Sequence, residues 1–275
     1  MRPKTTAAFL FVLLTATVSL LGAAPPPCTA VVGWTEPSAS DFEWRGELQP
    51  GATIEIQGLN GHVRAEASSG REVEVVANKR AGDEAEAVDI QVVAHARGVT
   101  ICTVYGHGAD GRRCQPGARA TPASRPSPGS PVDFTLRVPA GVRFVGRTVN
   151  GSVEAASLKG DVEAYTVNGD VGISTEGTAV AQTVNGSIAA SLGATGRNQP
   201  LQFRTVNGEI TIDLPAQAGA EVWAEAGNGE VVADFPMVWH KFGQRGVTGV
   251  IGDGGGEVMA RTVNGSVRLR RSSDQ

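Results

Sequence analysis

Arg147-Thr148-Val149-Asn150-Gly151-Ser152-Val153 is a heptapeptide that recurs along this chain with small changes. The Thr-Val-Asn-Gly core returns with its threonine at Thr166, Thr183, Thr205 and Thr262. Degenerate copies are Leu59-Asn60-Gly61-His62-Val63 and Asn228-Gly229-Glu230-Val231. The copies recur roughly every 20 residues, with a longer step before the last, and such a period is typical of stacked, similar units.

The residues of each copy predict a strand, a tight corner and a second strand. Asn-Gly tolerates positive φ at both positions, and the flanking Thr, Val and Ile are β-branched residues that suit strands. The predicted corner residues are Asn150, Gly151, Asn168, Gly169, Asn185, Gly186, Asn207, Gly208, Asn264 and Gly265. Because an isolated hairpin is barely stable in water, each copy needs neighbours to bury its valines.

These features predict an all-β fold, a single-stranded β-solenoid or rack of stacked strands built from Asn-Gly-cornered repeats. In such a stack the asparagines and the threonines would each form a ladder of like residues, with cross-strand Thr pairs contributing roughly 0.2–1 kcal/mol each. The composition agrees, since 275 residues include 36 glycines, 15 prolines and only 5% aromatic residues. A net charge of −4 gives no general basic field, so a nucleic-acid partner is not expected.

Residues 1–24 are predicted to be a signal peptide, because Arg2 and Lys4 precede an apolar run that ends on small residues. An uncleaved N-terminal anchor is the alternative. Residues 25–40 are predicted to be a flexible mature N-terminus, and no lipid is expected on Cys28. The protein is therefore expected to be exported to the periplasm, the cell surface or the medium, with no membrane span after signal removal.

Residues 41–270 are predicted to form one domain. It comprises N-terminal strands (41–114), a Pro/Ser-rich loop (115–131) and the repeat region (132–270), and residues 271–275 form a tail. Cys102 and Cys114 bracket a glycine-rich reversal, which in an exported chain favours a disulfide over two free thiols. The insertion at Trp239 and Phe242 is interpreted as a cap on the open end of the solenoid, with ligand stacking as the alternative.

The domain resembles the bacterial putative-adhesin domain family, a group of domains of unknown function. The resemblance rests on residues 132–139 (Val-Asp-Phe-Thr-Leu-Arg-Val-Pro), the Thr-Val-Asn-Gly copies, the Gly252-Asp253-Gly254-Gly255 turn and the last copy. It covers roughly residues 41–270. It implies an exported, single-domain β-solenoid and brings no established catalytic residues.

The residues that follow each Asn-Gly would line one edge of the stack, about 4.8 Å apart. They are His62, Ser152, Asp170, Ser187, Glu209, Glu230 and Ser266. Stacking in chain order would make Glu209 and Glu230 neighbours, at the spacing of the two carboxylates of a retaining glycoside hydrolase. The favoured interpretation is a solvated polar rim.

Arginine recurs at one position of three copies, Arg147, Arg204 and Arg261. These side chains could form a stripe for acidic sugars or lipid headgroups. The favoured interpretation is surface decoration that is neutralised by acidic residues nearby in the sequence. Those residues are Glu154, Glu163 and Glu209.

No metal, cofactor or catalytic site is predicted. The histidines (His62, His95, His107 and His240) show no ligand spacing. The letters of Gly106 to Gly111 match a dinucleotide-binding fingerprint, but the βαβ context is missing.

The sequence therefore predicts a non-enzymatic, exported cell-envelope protein, similar to an adhesin or a scaffold, that binds an unknown protein, wall or glycan partner. Two alternatives remain open. One is a polysaccharide-active enzyme that uses the paired carboxylates, and the other is a periplasmic partner in envelope stress or signalling.

Overall fold

In the computed structural model of the chain, the described residues are 41–80, 88–105, 114–117, 130–193, 201–242 and 245–272. Every regular secondary-structure element assigned to these residues is a β-strand. In chain order these are β1 (Asp41–Glu47), β2 (Thr53–Gln57), β3 (Val63–Ser68), β4 (Glu72–Lys79), β5 (Val88–His95), β6 (Gly98–Tyr105), β7 (Val132–Pro139), β8 (Arg143–Arg147), β9 (Val153–Leu158), β10 (Val162–Tyr165), β11 (Val171–Thr175), β12 (Ala179–Gln182), β13 (Ile188–Leu192), β14 (Leu201–Arg204), β15 (Ile210–Leu214), β16 (Ala220–Asn228), β17 (Val231–Ala233), β18 (Met237–Phe242), β19 (Gly246–Ile251), β20 (Gly256–Asn264) and β21 (Val267–Arg271).

Several predicted features lie outside the described residues. These are the signal peptide, the segment 25–40 with Cys28, the Gly106–Gly111 stretch with His107, and most of the Pro/Ser-rich loop. In the part of the chain that is described, no helix is long and apolar enough to cross a membrane.

The strands form two sheets. The first has the order β1-β4-β7-β3-β9-β11-β13-β15-β21-β17, and the second has the order β18-β19-β16-β20-β14-β12-β10-β8-β2-β6-β5. From β8 to β15 the chain passes alternately from one sheet to the other, so each turn of the chain, here called a rung, gives one strand to each sheet. Successive rungs are parallel and in register, as in the row Val153, Val171, Ile188, Ile210 and Val267. The predicted all-β solenoid is confirmed.

The core lies between the two sheets and follows from the alternation of apolar and polar residues along many of the strands. In β7, Val132, Phe134, Leu136 and Val138 are buried, while the residues between them are more exposed. Period-2 alternation puts one set of side chains on the core face of a strand. Most core residues are valine, isoleucine, leucine or alanine, which explains why the fold needs so few aromatic residues.

The rungs are not stacked in the order of the chain. The last copy supplies β20 and β21, and these strands lie between β14 and β16 in one sheet and between β15 and β17 in the other. The degenerate copy at Asn228 to Val231 therefore forms the outermost rung. At the opposite end β7 lies between β3 and β4, again out of chain order.

At one end of the second sheet lies an antiparallel pair, β18 and β19, and β18 holds Trp239 of the predicted insertion. Trp239 lies opposite Gly249, and its ring carbon Cε3 is 3.7 Å from the place that a Cβ on Gly249 would occupy. The indole ring therefore lies beside Gly249 of β19.

A glycine-to-alanine pair tests how closely the rungs approach. A Cβ on Gly186 would lie 2.0 Å from the carbonyl oxygen of Gly169, so we expect Gly186→Ala to lower the free energy of unfolding by about 1–3 kcal/mol or more. Thermal and denaturant unfolding measure the change.

The matched control is Gly172→Ala in β11, where the nearest atom to the new Cβ is Glu154 Cγ at 3.7 Å, an ordinary contact. We expect this variant to be as stable as the parent or slightly more stable, because alanine restricts the unfolded chain. Equal losses in the two variants would contradict the close approach at Gly186.

Candidate functional site

A row of seven asparagines runs along the corner edge of the described rungs. At each step the Nδ2 of one asparagine donates to the Oδ1 of its neighbour, at 2.7 or 2.8 Å. In spatial order the row is Asn60, Asn150, Asn168, Asn185, Asn207, Asn264 and Asn228. The amide dipoles all run in one direction, an arrangement in which hydrogen bonds strengthen one another.

The threonine that precedes each Val-Asn-Gly makes a different hydrogen bond from the one expected. The threonine hydroxyls do not pair with each other. Each donates to the carbonyl oxygen of the glycine on the preceding rung, at 2.8–3.1 Å. All five threonines are buried, so these bonds satisfy hydroxyls and carbonyls that water does not reach.

The corner geometry also corrects a prediction. None of the asparagines has positive φ, since Ser157 is the sole non-glycine with positive φ among the described residues. Gly151 and Gly169 have φ of 153° and 155°, far from the left-handed helical value near +57°, and φ of Gly186 is outside the glycine-favouring range. Glycine is needed mainly because its α-carbon packs against the backbone of the next rung.

Four of the rim residues that follow an Asn-Gly, namely His62, Asp170, Ser187 and Ser266, accept a hydrogen bond from a backbone amide. Asp170 Oδ1 accepts the amide N–H of Ser187 at 2.8 Å, and Ser187 Oγ accepts that of Glu209 at 3.2 Å. At the other end His62 Nδ1 accepts the amide N–H of Ser152 at 3.1 Å. Each of these side chains thus joins its rung to the next, which favours the polar-rim interpretation.

The predicted pairing of Glu209 and Glu230 is wrong. In the first sheet β21 lies between β15 and β17, so Ser266 separates the two carboxylates by one full rung. Glu209 instead forms an ion pair with Arg268 on that intervening strand. The prediction failed because it assumed that rungs stack in the order of the chain.

The three arginines do not form a continuous stripe. Along their row in the second sheet the order is Arg147, Tyr165, Gln182, Arg204 and Arg261, so two uncharged residues separate the first arginine from the others.

Their acidic partners also differ in part from those expected. Arg261 pairs with Glu225 at 3.2 Å. Arg147 pairs with Glu55 at 2.9 Å and lies 3.7 Å from Glu163. The other two carboxylates named from the sequence bind different arginines, Glu154 with Arg64 and Glu209 with Arg268.

A buried polar cluster on the outer face of the second sheet was not found from the sequence. Glu55 is only 4% exposed. Its Oε1 accepts from Arg147 Nε at 2.9 Å, and its Oε2 accepts from Thr100 Oγ1 at 3.0 Å and from the amide of Gly117 at 2.8 Å. Both oxygens of this carboxylate accept hydrogen bonds, as a buried charged group requires.

Tyr165 completes this cluster. The guanidinium carbon of Arg147 lies 4.1 Å from the centre of the Tyr165 ring, and the phenol donates to Glu163 Oε2 at 2.9 Å. Burial, followed by the negative charge of Glu163, raises the pKa of Tyr165 to about 12. The phenol therefore remains a hydrogen-bond donor at neutral pH.

The predicted disulfide between Cys102 and Cys114 is present, with Cα atoms 5.6 Å apart. It fixes the segment 114–117 over the polar cluster. Gln57 Nε2 donates to the carbonyl oxygen of Gln115 at 2.8 Å. The amide of Gly117, two residues further on, donates the hydrogen bond to Glu55 described above. The covalent link thus helps to exclude water from the Glu55 carboxylate.

The histidines are dispersed. His62 contacts Ser152, His95 Nε2 lies 3.1 Å from Thr100 Oγ1, and His240 is on the edge strand β18. Within the described ranges, no group of three His, Cys, Asp or Glu side chains could hold a metal ion.

An exposed, regular surface is formed where three rungs meet the corner edge. Val184, Val206 and Val263 are 39%, 39% and 42% exposed and occupy the same position on consecutive rungs. Asparagines flank them on one side, and glutamine and arginines flank them on the other. We call this the corner surface, and it consists of Gln182, Val184, Asn185, Arg204, Val206, Asn207, Arg261, Val263 and Asn264.

Comparison with known proteins assigns the repeat region. Residues 147–270 match the family model described as Toastrack DUF4097. This part of the chain is a Toastrack domain. The matched residues hold the corner surface and most of the asparagine row. No curated protein matches the sequence.

Two solved structures resemble the chain that contains the Toastrack domain. One is a putative cell adhesion protein from Clostridium sporogenes, with 11% identity, a TM-score of 0.46, and coverage of 85% of this chain and 100% of that one. The other is a putative adhesin from Bacteroides fragilis, with 12% identity, a TM-score of 0.33, and coverage of 86% of this chain and 99% of that one. Similarity at this level does not transfer a function to the Toastrack domain.

Alkaline titration tests the cluster around Tyr165. A tyrosine normally ionises near pH 10, and here the pKa is raised to about 12. The folded protein holds this proton more tightly than the unfolded chain does, so the contribution of Tyr165 to stability is complete below about pH 10. It is lost as pH rises from about 10 to about 12. Phenolate absorbance and unfolding free energy measure the two effects.

Tyr165→Phe should remove the most alkaline phenolate step and flatten the loss of stability over that pH range. Tyr105→Phe is the matched control. Burial also raises the pKa of Tyr105, but no carboxylate contributes to that shift. Identical stability curves for the parent and Tyr165→Phe would contradict the assignment.

Proposed function

We propose that the protein is a non-enzymatic, exported cell-envelope protein, similar to an adhesin or a scaffold, that binds a protein, wall or glycan partner through the corner surface. The single observation that carries the proposal is the row of Val184, Val206 and Val263, which leaves three apolar side chains exposed in a regular line. Burying apolar area is the main driving force of association, and exposed apolar rows on a rigid surface are typical of contact sites.

The polar flanks of this row suit recognition. Arg204 is exposed and makes no ion pair among the described residues, so its five N–H donors are available to a carboxylate or a sugar. Asn185 and Asn207 are held in fixed orientations by the amide row. A partner would therefore meet donors that are already ordered, and it would lose little entropy in fixing them.

The remaining polar groups at the corners favour a scaffold over an enzyme. The threonine hydroxyls bind glycine carbonyls, rim side chains such as Asp170 bind backbone amides, and the carboxylates of Glu209 and Glu230 lie two rungs apart. These polar groups stabilise the contacts between rungs. The exposed side chains of Val184, Val206 and Val263 remain accessible to a partner.

Export is supported by the N-terminal sequence and by the disulfide. Arg2 and Lys4 followed by an apolar run are typical of a secretory signal. The Cys102–Cys114 bond is of the kind that persists in oxidising compartments.

The test is a binding assay of the mature chain, from Pro25 onward, on glycan and peptidoglycan arrays, with release of material scored at the same time. Val206→Asp is expected to weaken binding by about tenfold or more, because it places a charge in the centre of the apolar row. Where the arrays give no ligand, crosslinking in envelope extracts with the same variants applies the test to a protein partner.

The matched control is Val232→Asp. Val232 is 41% exposed, close to the 39% of Val206, but it lies on β17 in the first sheet, outside the corner surface. Both variants should keep the melting temperature of the parent within a few degrees. Equal binding by the two variants would remove the corner surface from the proposal, and turnover of a glycan would overturn the non-enzymatic assignment.

A further inference from the structure

Asn-Gly pairs are prone to a spontaneous reaction of the asparagine side chain, and stacking of the rungs opposes this reaction. In an Asn-Gly pair the amide nitrogen of glycine can attack the side-chain carbonyl carbon of asparagine, because glycine has no Cβ to hinder the approach. The attack needs a glycine nitrogen that can lose its proton and move towards the side chain. A hydrogen bond from that N–H to another group opposes both requirements.

Six of the glycines in these corners donate their N–H to the backbone carbonyl of the asparagine on the next rung, at 2.9–3.2 Å. They are Gly61, Gly151, Gly169, Gly186, Gly208 and Gly265. Gly229 is on the outermost rung, so no rung follows it. Among the described residues no group accepts its N–H, and Gly229 is exposed while the other six are buried or half-buried.

The side chain of Asn228 is also held more weakly than those inside the row. Its Nδ2 donates to Asn264 Oδ1 at 2.7 Å, but no further asparagine donates to its Oδ1. That oxygen instead lies 3.5 Å from Arg245 Nη1. A guanidinium at this position polarises the carbonyl, which makes the carbon a better target for the glycine nitrogen.

We propose that Asn228-Gly229 is a site of spontaneous deamidation in the folded protein, and that the stack protects the other Asn-Gly corners. The Gly229 nitrogen forms a bond to Asn228 Cγ and loses its proton to water, while the Cγ–Nδ2 bond breaks and the nitrogen leaves as ammonia. Water then adds to either carbonyl of the resulting cyclic imide. Opening of the ring gives aspartate or isoaspartate at position 228.

The product changes the end of the stack. A carboxylate has no N–H, so position 228 can no longer donate to Asn264 Oδ1, and two acceptor oxygens would face each other there. The new negative charge would lie beside Arg245. The modification therefore releases one link of the asparagine row and alters the charge of the outermost rung.

Peptide mapping by mass spectrometry tests the proposal with an internal control. Residues 205–241 form one tryptic peptide, between Arg204 and Lys241, and it holds both Asn207 and Asn228. The two sites share the sequence Asn-Gly-Glu, but Gly208 donates to Asn264 while Gly229 has no next rung. The folded full chain is incubated at mildly alkaline pH, and fragmentation locates the conversion of amide to acid.

In the folded protein, conversion at Asn228 is expected to exceed that at Asn207 by about fivefold or more, the factor that corresponds to one net backbone hydrogen bond of ~1 kcal/mol. In denaturant the two rates should become similar, because the local sequences match. Equal rates in the folded protein would overturn the proposal, as would no conversion at Asn228 over a period in which the denatured chain converts.

Asn228→Asp isolates the consequence of the reaction. Hydrogen exchange should become several-fold faster in β17, which follows this corner, and should stay unchanged in β11 at the centre of the stack. Unchanged exchange in β17 would show that the asparagine link does not hold the outermost rung.

Discussion

The contact on which this structure depends is the approach of each corner glycine to the glycine of the neighbouring rung. A Cβ at Gly169 or Gly208 would lie 2.2 or 2.0 Å from a carbonyl oxygen of the neighbouring rung, so the rungs can stack at this distance only if the corner residue that faces this carbonyl lacks a side chain. Each of these carbonyls also accepts a hydrogen bond from a buried threonine hydroxyl. The tetrapeptide Thr-Val-Asn-Gly therefore contains all that one corner needs to stack on the next. Asparagine and threonine form the hydrogen bonds between rungs, and glycine allows the close approach because it has no Cβ.

Much of the architecture could be predicted from this tetrapeptide because its requirements are local. β-Branched residues on both sides of an Asn-Gly pair, repeated at a near-constant period, leave few alternatives to a stack of strands. The disulfide was predictable for a similar reason, since Cys102 and Cys114 bracket a short reversal. What the sequence did not show was how the glycines work, because a close approach between rungs involves residues that are distant in the chain.

The order of the rungs could not be predicted from the sequence, and for this reason the predicted pair of Glu209 and Glu230 was wrong. The copy at Asn228 lacks the Thr-Val of the regular copies, but nothing in its residues shows that the copy at Asn264, which follows it in the chain, lies inside it in the stack. That inversion separates Glu209 from Glu230 and removes the catalytic pair. The cluster of Glu55, Arg147 and Tyr165 was missed for the same reason, since Glu55 and Arg147 are brought together only by the pairing of β2 with β8.

The interior of the stack and its end differ in the contacts that a corner can make. Among the described rungs, the corner asparagines and threonines bond to a neighbouring rung, while exposed side chains such as Val184 and Val206 do not. When the polar groups of a repeat are hydrogen-bonded between rungs, other molecules can bind only to the exposed side chains along its edge or to its ends. The end rung at Asn228 lacks a following neighbour, so it is the place where the chemistry of the corner, suppressed elsewhere by stacking, becomes available.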